Sequence, residues 1–113
     1  MGSFLSSTPI TKEEMAQVQE LVEKIIESNK VVVFSKSYCP YCVKAKAVLK
    51  EFGVEFFVME LDKENNGSAV QQYLAEKTGQ RTVPNIFINQ QHIGGCDDLL
   101  AAKANGSLKK LLL

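Results

Sequence analysis

Tryptophan is absent from this chain, histidine occurs once, and neither sign of charge is in excess: 13 Lys and Arg stand against 13 Asp and Glu. That balance speaks against a dedicated nucleic-acid or polyanion binder, which carries a basic surplus. Cysteine is scarce too. Three in 113 residues are too few and too odd in number for a secreted disulfide scaffold. In a domain with its own core they point to a reducing compartment and reactive thiols, so a cytoplasmic protein is expected. No apolar run approaches the roughly 20 residues that cross a bilayer, and no membrane partner is expected. The opening MGSFLSSTPI lacks the basic n-region and apolar h-region of a secretory signal. Gly2 and Ser6 do fit the acylation pattern M-G-x-x-x-[ST]. So short a pattern recurs by chance, and one acyl chain anchors only marginally.

What is present suffices for one domain. An apolar fraction of 45% excludes a disordered or collagen-like chain. A chain of this size removes roughly 60–70% of its unfolded surface from water. Residues 1–10 read as a flexible lead-in and 11–113 as a single monomeric domain. Thr11-Lys-Glu-Glu14 forms a capping box, and Met15, Val18, Leu21, Val22, Ile25 and Ile26 follow at helical spacing. Lys30-Val-Val-Val-Phe-Ser35 is a continuous β-branched run, expected of a strand covered on both faces. A helix runs from Cys39 through Phe52 to a stop at Gly53. Phe56–Met59 is the second strand, and Asn65-Asn66-Gly67 opens a helix that reaches Gly79. Asn85–Ile88 is the third strand, Asn89-Gln-Gln91 a turn, and His92-Ile93 a short returning strand. Gly94-Gly-Cys-Asp-Asp98 starts another helix, and Asn105-Gly106-Ser107 recaps a final turn. The order α-β-α-β-α-β-β-α predicts an α/β fold. Its first two strands should be parallel through a right-handed crossover, and its last two antiparallel.

Cys39-Pro40-Tyr41-Cys42, at a strand exit and a helix start, carries the strongest chemical signal. Thiol–disulfide exchange needs a thiolate attacker, and a two-thiol cycle needs a neighbour within one helical turn. The helix N-terminus offers an anion site, and Pro40 suits the first turn because its missing N–H costs nothing there. Lowering a thiol pKa from about 8.5 to about 5 takes ~5 kcal/mol of preference for the charged form. A helix terminus supplies about 0.3–1 kcal/mol and at best ~2. The remainder must come chiefly from the Tyr41 and Cys42 amides donating to sulfur. Lys36, Lys44, Lys46 and Lys50 add a solvent-screened field. Cys39 is therefore expected to be the exposed nucleophile, and Cys42, one turn inside, the resolving thiol of higher pKa. The pair is the candidate redox-active disulfide.

A zinc knuckle made of Cys39, Cys42, His92 and Cys96 is formally available. Against it, its second half lies in a strand-to-helix segment, and Pro40 stiffens the first. Cys96 reads either as a small residue at a helix start or as a third thiol open to glutathionylation or intermolecular pairing.

Three separated motifs now carry a resemblance: Lys36-x-x-Cys-Pro-Tyr-Cys42, Thr82-Val-Pro84 and Gly94-Gly-Cys-Asp-Asp98. In this order and spacing the chain, from about Met15 to its C-terminus, resembles the dithiol CPYC-type (class I) glutaredoxins. The resemblance implies a thioredoxin-like fold, a mixed four-stranded sheet of order 2-1-3-4 with helices on both faces, and a cis Pro84 opposite Cys39. It implies glutathione as reductant and co-substrate and no metal. The implied partners are glutathionylated or disulfide-bonded proteins and, indirectly, glutathione reductase. It also implies a glutathione site. Lys36 and Arg81 would meet the glycyl carboxylate, assisted by Gln80 and Tyr41. The Val83 backbone, freed beside Pro84, would pair with the cysteinyl part. Cys96 and Asp97 amides would hold the γ-glutamyl carboxylate, and an Asp97 or Asp98 carboxylate the ammonium. Thr82 and Gly95 complete the set. Two other functions compete. A thioredoxin reduced by a flavoprotein ordinarily carries Trp before C-G-P-C, and this chain has no Trp. A glutathione-ligated [2Fe–2S] scaffold mostly has Gly or Ser after the first Cys.

Overall fold

The computed structural model describes residues 9–113, so the lead-in and the Gly2–Ser6 pattern lie almost wholly outside the described residues. Strand β1 (Val31–Ser35) is buried along its whole length and forms the spine. Strand β2 (Phe57–Glu60) pairs with it in parallel, and β3 (Asn85–Ile88) pairs antiparallel on its other side. Strand β4 (Gln91–Gly94) pairs antiparallel with β3, giving the order β2-β1-β3-β4. Side chains alternate across a strand, and here the two faces feed two separate cores. Val32, Phe34, Met59 and Phe87 meet helix α1 (Lys12–Ser28) and helix α3 (Gly67–Thr78) through Val18, Val22, Ile26, Val70 and Leu74. Val31, Val33, Ile86 and Ile88 meet α2 (Pro40–Glu51), α4 (Cys96–Ala104) and α5 (Ser107–Leu112) through Ala45, Leu49, Leu99 and Leu108. That double covering is why β1 is one unbroken apolar run. Phe34 and Phe87 cross-pair edge to face, centroids 6.0 Å apart at 88°.

Local signals place most helix ends. Thr11 Oγ1 accepts the Glu14 amide at 3.0 Å, and Asn29 Nδ2 closes α1 on the Ile25 carbonyl at 2.9 Å. Gly79 ends α3 at φ 82°, the left-handed position that suits glycine. Four expectations shift. Leu21 is 36% exposed, because it lies at the edge of the α1 stripe. Strand β2 begins one residue late, since its register pairs Val32 with Phe57 and Ser35 with Glu60. The hairpin turn uses only Asn89 and Gln90, both at positive φ, so Gln91 already belongs to β4. A two-residue turn of this kind matches the twist of the strands it joins. The final turn is a helix, α5, seated by buried Leu108 and Leu112.

Helices α1 and α3 are joined by a polar clasp: Glu23 Oε2 accepts from the Tyr73 hydroxyl and from Lys77 Nζ at 2.8 Å. Partial burial and the adjacent Glu23 carboxylate push the Tyr73 phenol up to about 12. Tyr73→Phe is expected to cost about 1–2 kcal/mol in urea unfolding, the low end for a hydrogen bond to a charged acceptor because the Glu23 side chain is partly exposed. In the wild type, one of the three tyrosines should ionise last by ultraviolet absorbance. The folded pKa exceeds the ordinary value of about 10. The clasp therefore contributes fully between the carboxylate range and that pH. It is lost as pH rises toward 12, and at the acid end as Glu23, whose pKa Lys77 and Tyr73 lower against partial burial, takes up a proton.

Candidate active site

Chain leaving β1 at Ser35 makes a short turn through Lys36, Ser37 and Tyr38 before α2 begins. Cys39 is the N-cap of α2, extended at φ −86°, ψ 118°, and Pro40 is the first helical residue. The turn is held from two sides. Cys39 N donates to the Lys36 carbonyl at 3.1 Å, and Ser37 N donates to Asp62 Oδ1 at 2.8 Å, with the Ser37 hydroxyl on Oδ2. Asp62 sits in the 3₁₀ turn Leu61–Lys63 that follows β2, and the Ser37 hydroxyl and amide hold its carboxyl below the usual range. Sequence reading missed Asp62, for its partner lies 25 residues away.

The two thiols diverge as the helix-start argument requires. Partial burial works against charge on Cys39. It is outweighed by the Cys42 amide and thiol, the Tyr41 amide and the Lys36 charge, and the pKa falls below the ordinary value. Cys42 is fully buried. Burial, with the neighbouring Cys39 sulfur, pushes its thiol up against the opposing Lys36 backbone and Ser35 hydroxyl. All three cysteines are free thiols. The lysine field is thinner than four residues suggest. Lys36 acts on Cys39, but Lys46 is paired with Glu60 at 2.8 Å. Lys50 lies 11 residues beyond Cys39, about 16 Å along a helix, outside a Debye length of roughly 8–10 Å.

Beside Cys39 the segment before β3 comes close: Cys39 Sγ lies 3.8 Å from the Val83 carbonyl oxygen, and the Val83–Pro84 bond is cis. A cleft of about 420 Å³ opens here. Tyr41, Gln80, Thr82, Val83 and Pro84 line one part of it, and Gly95, Cys96, Asp97 and Asp98, at the start of α4, line the other. Nine of the residues expected around the thiols thus share one continuous space. Arg81 faces an adjoining groove of about 440 Å³ against α3, and half-buried Lys36 lies on the thiol side. Gln80 spends its amide on the backbone carbonyls of Thr82 and Pro84.

At α4, Asp98 Oδ2 accepts the Gly95 amide at 2.9 Å. The amides of Cys96 and Asp97, in the first helical turn, have no intrahelical acceptor. The Cys96 thiol is buried among Ala45, Ile86 and Leu99, and burial, offset in part by Lys44, pushes its pKa up. His92 turns its Nε2 to Asn85 and Gln80. Among the described residues no group of three His, Cys, Asp or Glu is arranged to hold a metal ion.

A thiol of lowered pKa at a helix start, a buried partner thiol one turn on and an open cleft alongside are the parts of a thiol–disulfide exchange site. Comparisons with known proteins agree. The glutaredoxin family profile matches residues 31–93. Glutaredoxin-1 of Rhizophagus irregularis is 62% identical over 98 residues, covering 87% of this chain and 97% of that protein. Glutaredoxin-C1 of Arabidopsis thaliana is 46% identical over 112 residues, 99% of this chain and 90% of the relative. The crystal structure of a buckwheat glutaredoxin–glutathione complex superposes with a TM-score of 0.89 at 41% identity, over 90% of this chain and 93% of that one. On sequence, fold and site together, this chain belongs to the glutaredoxin family of thiol–disulfide oxidoreductases.

Proposed function

We propose that the protein is a CPYC-type, class I glutaredoxin that uses glutathione to reduce protein–glutathione mixed disulfides, and protein disulfides as well. The observation that carries this reading is the split between the two thiols: against partial burial, amide and thiol donors and the Lys36 charge lower the Cys39 pKa, while burial raises that of Cys42. The Cys39 thiolate attacks the glutathionyl sulfur of the mixed disulfide. That S–S bond breaks, the protein sulfur leaves and takes up a proton, and Cys39–S–S–glutathione forms. A second glutathione thiolate attacks the glutathionyl sulfur and leaves as glutathione disulfide, returning Cys39 as thiolate. The two electrons come from two glutathiones, restored by glutathione reductase at the expense of NADPH. For a protein disulfide, Cys42 displaces the substrate from Cys39. The resulting Cys39–Cys42 bridge is reopened by two glutathiones. The working unit is residues 11–113, acting as a cytoplasmic monomer.

Glutathione carries two carboxylates and one ammonium, and we assign the side chains and amides around Cys39 to these charges in turn. Lys36 supplies cation for the glycyl carboxylate, joined by Arg81 from the groove against α3, with Tyr41 and Thr82 between them; Gln80, whose amide hydrogens are taken by the Thr82 and Pro84 carbonyls, assists only by holding that loop. Val83 offers its backbone beside Pro84, as an added strand would use it. Gly95 opens the amides of Cys96 and Asp97 to the γ-glutamyl carboxylate. Asp97 meets the ammonium, as does the Asp98 oxygen not engaged by Gly95. A Lys36→Ala, Arg81→Ala double variant removes two charge-assisted hydrogen bonds to the ligand. It is expected to raise KM for a glutathionylated peptide about ten- to a hundredfold. Arg81→Ala alone, which leaves the Lys36 charge on Cys39 in place, should raise KM while leaving the alkylation rate of Cys39 unchanged. An unchanged KM in the coupled assay removes the cation assignment, and wild-type turnover by thioredoxin reductase in place of glutathione removes the whole reading.

A further inference from the structure

Beside the Thr82–Pro84 segment lies a group of polar side chains, with His92 at the exposed surface, that the thiol chemistry leaves unused. Gln80 donates through Nε2 to the Thr82 carbonyl at 2.9 Å and to the Pro84 carbonyl at 2.8 Å. A carbonyl can only accept, so the amide orientation is fixed: nitrogen toward the loop, Oε1 away from it. Oε1 then faces His92 Nε2 at 3.2 Å, and Asn85 Oδ1 faces the same nitrogen at 2.9 Å. A ring nitrogen between two acceptors must carry the hydrogen, which sets the His92 tautomer. The ring is backed by Phe87, centroids 5.2 Å apart. Asn85 is buried, and its Nδ2 has no partner among the described residues. Turning that amide over would set an N–H against the His92 N–H, so the bare nitrogen follows from the direction in which His92 donates.

Residues 81–84 belong to no strand and take no support from the sheet ladder. Their two clamped carbonyls flank Val83, whose own carbonyl stands beside Cys39 Sγ. We propose that His92 is a positioning residue, which by donating to Gln80 holds the Thr82 and Pro84 carbonyls and so presents the Val83 backbone ready for glutathione. The inference rests on the glutathione reading above. Pre-setting such a strip removes an ordering cost otherwise met when the ligand binds.

The test is steady-state turnover of a glutathionylated peptide, with thermal melting run beside it. His92→Phe keeps a ring against Phe87 and deletes the donor. Its KM should rise roughly three- to tenfold, the loss of one hydrogen bond's worth of order, with kcat within about twofold. His92→Gln carries an amide nitrogen to nearly the same reach and should restore KM. Gln80→Leu should raise KM, and adding His92→Phe to it should raise KM no further, since His92 acts through Gln80. Multiplying effects in the double variant, or an unmoved KM in His92→Phe, overturns the role. Should His92→Phe fail to fold, Gln80→Leu beside His92→Gln carries the comparison. There, a KM that rises in both or in neither is fatal. A wild type without glutathione-dependent turnover sinks the glutathione reading and this role together; a wild type that turns over beside an unmoved His92→Phe sinks this role alone.

Discussion

Cys39→Ser is expected to lose glutathione-coupled turnover by at least about a thousandfold, the scale on which removing an activated nucleophile registers. A serine hydroxyl at the same N-cap meets the same amides, but it does not ionise near neutral pH and cannot form a mixed disulfide. Cys42→Ser should behave differently. It keeps the nucleophile, and with it the one-thiol route through Cys39–S–S–glutathione, while reduction of protein disulfides that need the Cys39–Cys42 bridge collapses. The electrostatics give a second handle on the same claim. Because the donors around Cys39 outweigh its partial burial, alkylation by iodoacetamide should be half-maximal below the ordinary cysteine value of about 8.5. The rate should fall as pH drops through the Cys39 pKa, as thiolate is lost. In the Cys39→Ser protein the remaining accessible reactivity should be slow, with Cys42 buried and its pKa raised. A Cys39→Ser protein that retains its turnover, or a Cys39 that titrates like free cysteine, ends the mechanism.

A large stability effect is expected at Gly94. It is buried at the end of β4, at φ +121°, where an L side chain is strained. A Cβ there would also overlap the Asp98 carboxylate, which accepts the Gly95 amide at the start of α4. Gly94→Ala therefore combines backbone strain of about 1–3 kcal/mol with a displaced helix cap worth ~1 kcal/mol. The total, about 2–4 kcal/mol, corresponds to a fall in Tm of roughly 10–20 °C for a domain of this size. Asp98→Ala removes only the cap and should cost about 1 kcal/mol, so the difference between the two variants isolates the backbone. Equal melting temperatures for Gly94→Ala and wild type would contradict the argument.

The readable parts of this fold were those governed by neighbours in the chain. Thr11 caps α1 by accepting the Glu14 amide three residues on, one half of the expected box; Gly79 stops α3 by its own conformational freedom. The β1 run announced its double covering because every residue in it is β-branched or apolar until Ser35. Periodicity was weaker at the edges. Leu21 fits the α1 stripe by spacing but lies at its edge and stays 36% exposed, and β2 took its start from pairing with β1.

Sequence by itself determined which sulfur would stand at the helix start: the cap position, Pro40 and the following amides lie within four residues, and a helix N-terminus acts only over that range. It also marked the three motifs that gather at the cleft. Tertiary structure alone decided how much charge reaches the thiol, since Glu60 comes from another strand to occupy Lys46 and leaves Lys36 to act on Cys39. It also decided that Asp62 would tie down the turn before Cys39 and that His92, Gln80 and Asn85 would meet beside Pro84. Contacts of that kind join residues far apart in the chain, through directions that only the folded backbone assigns.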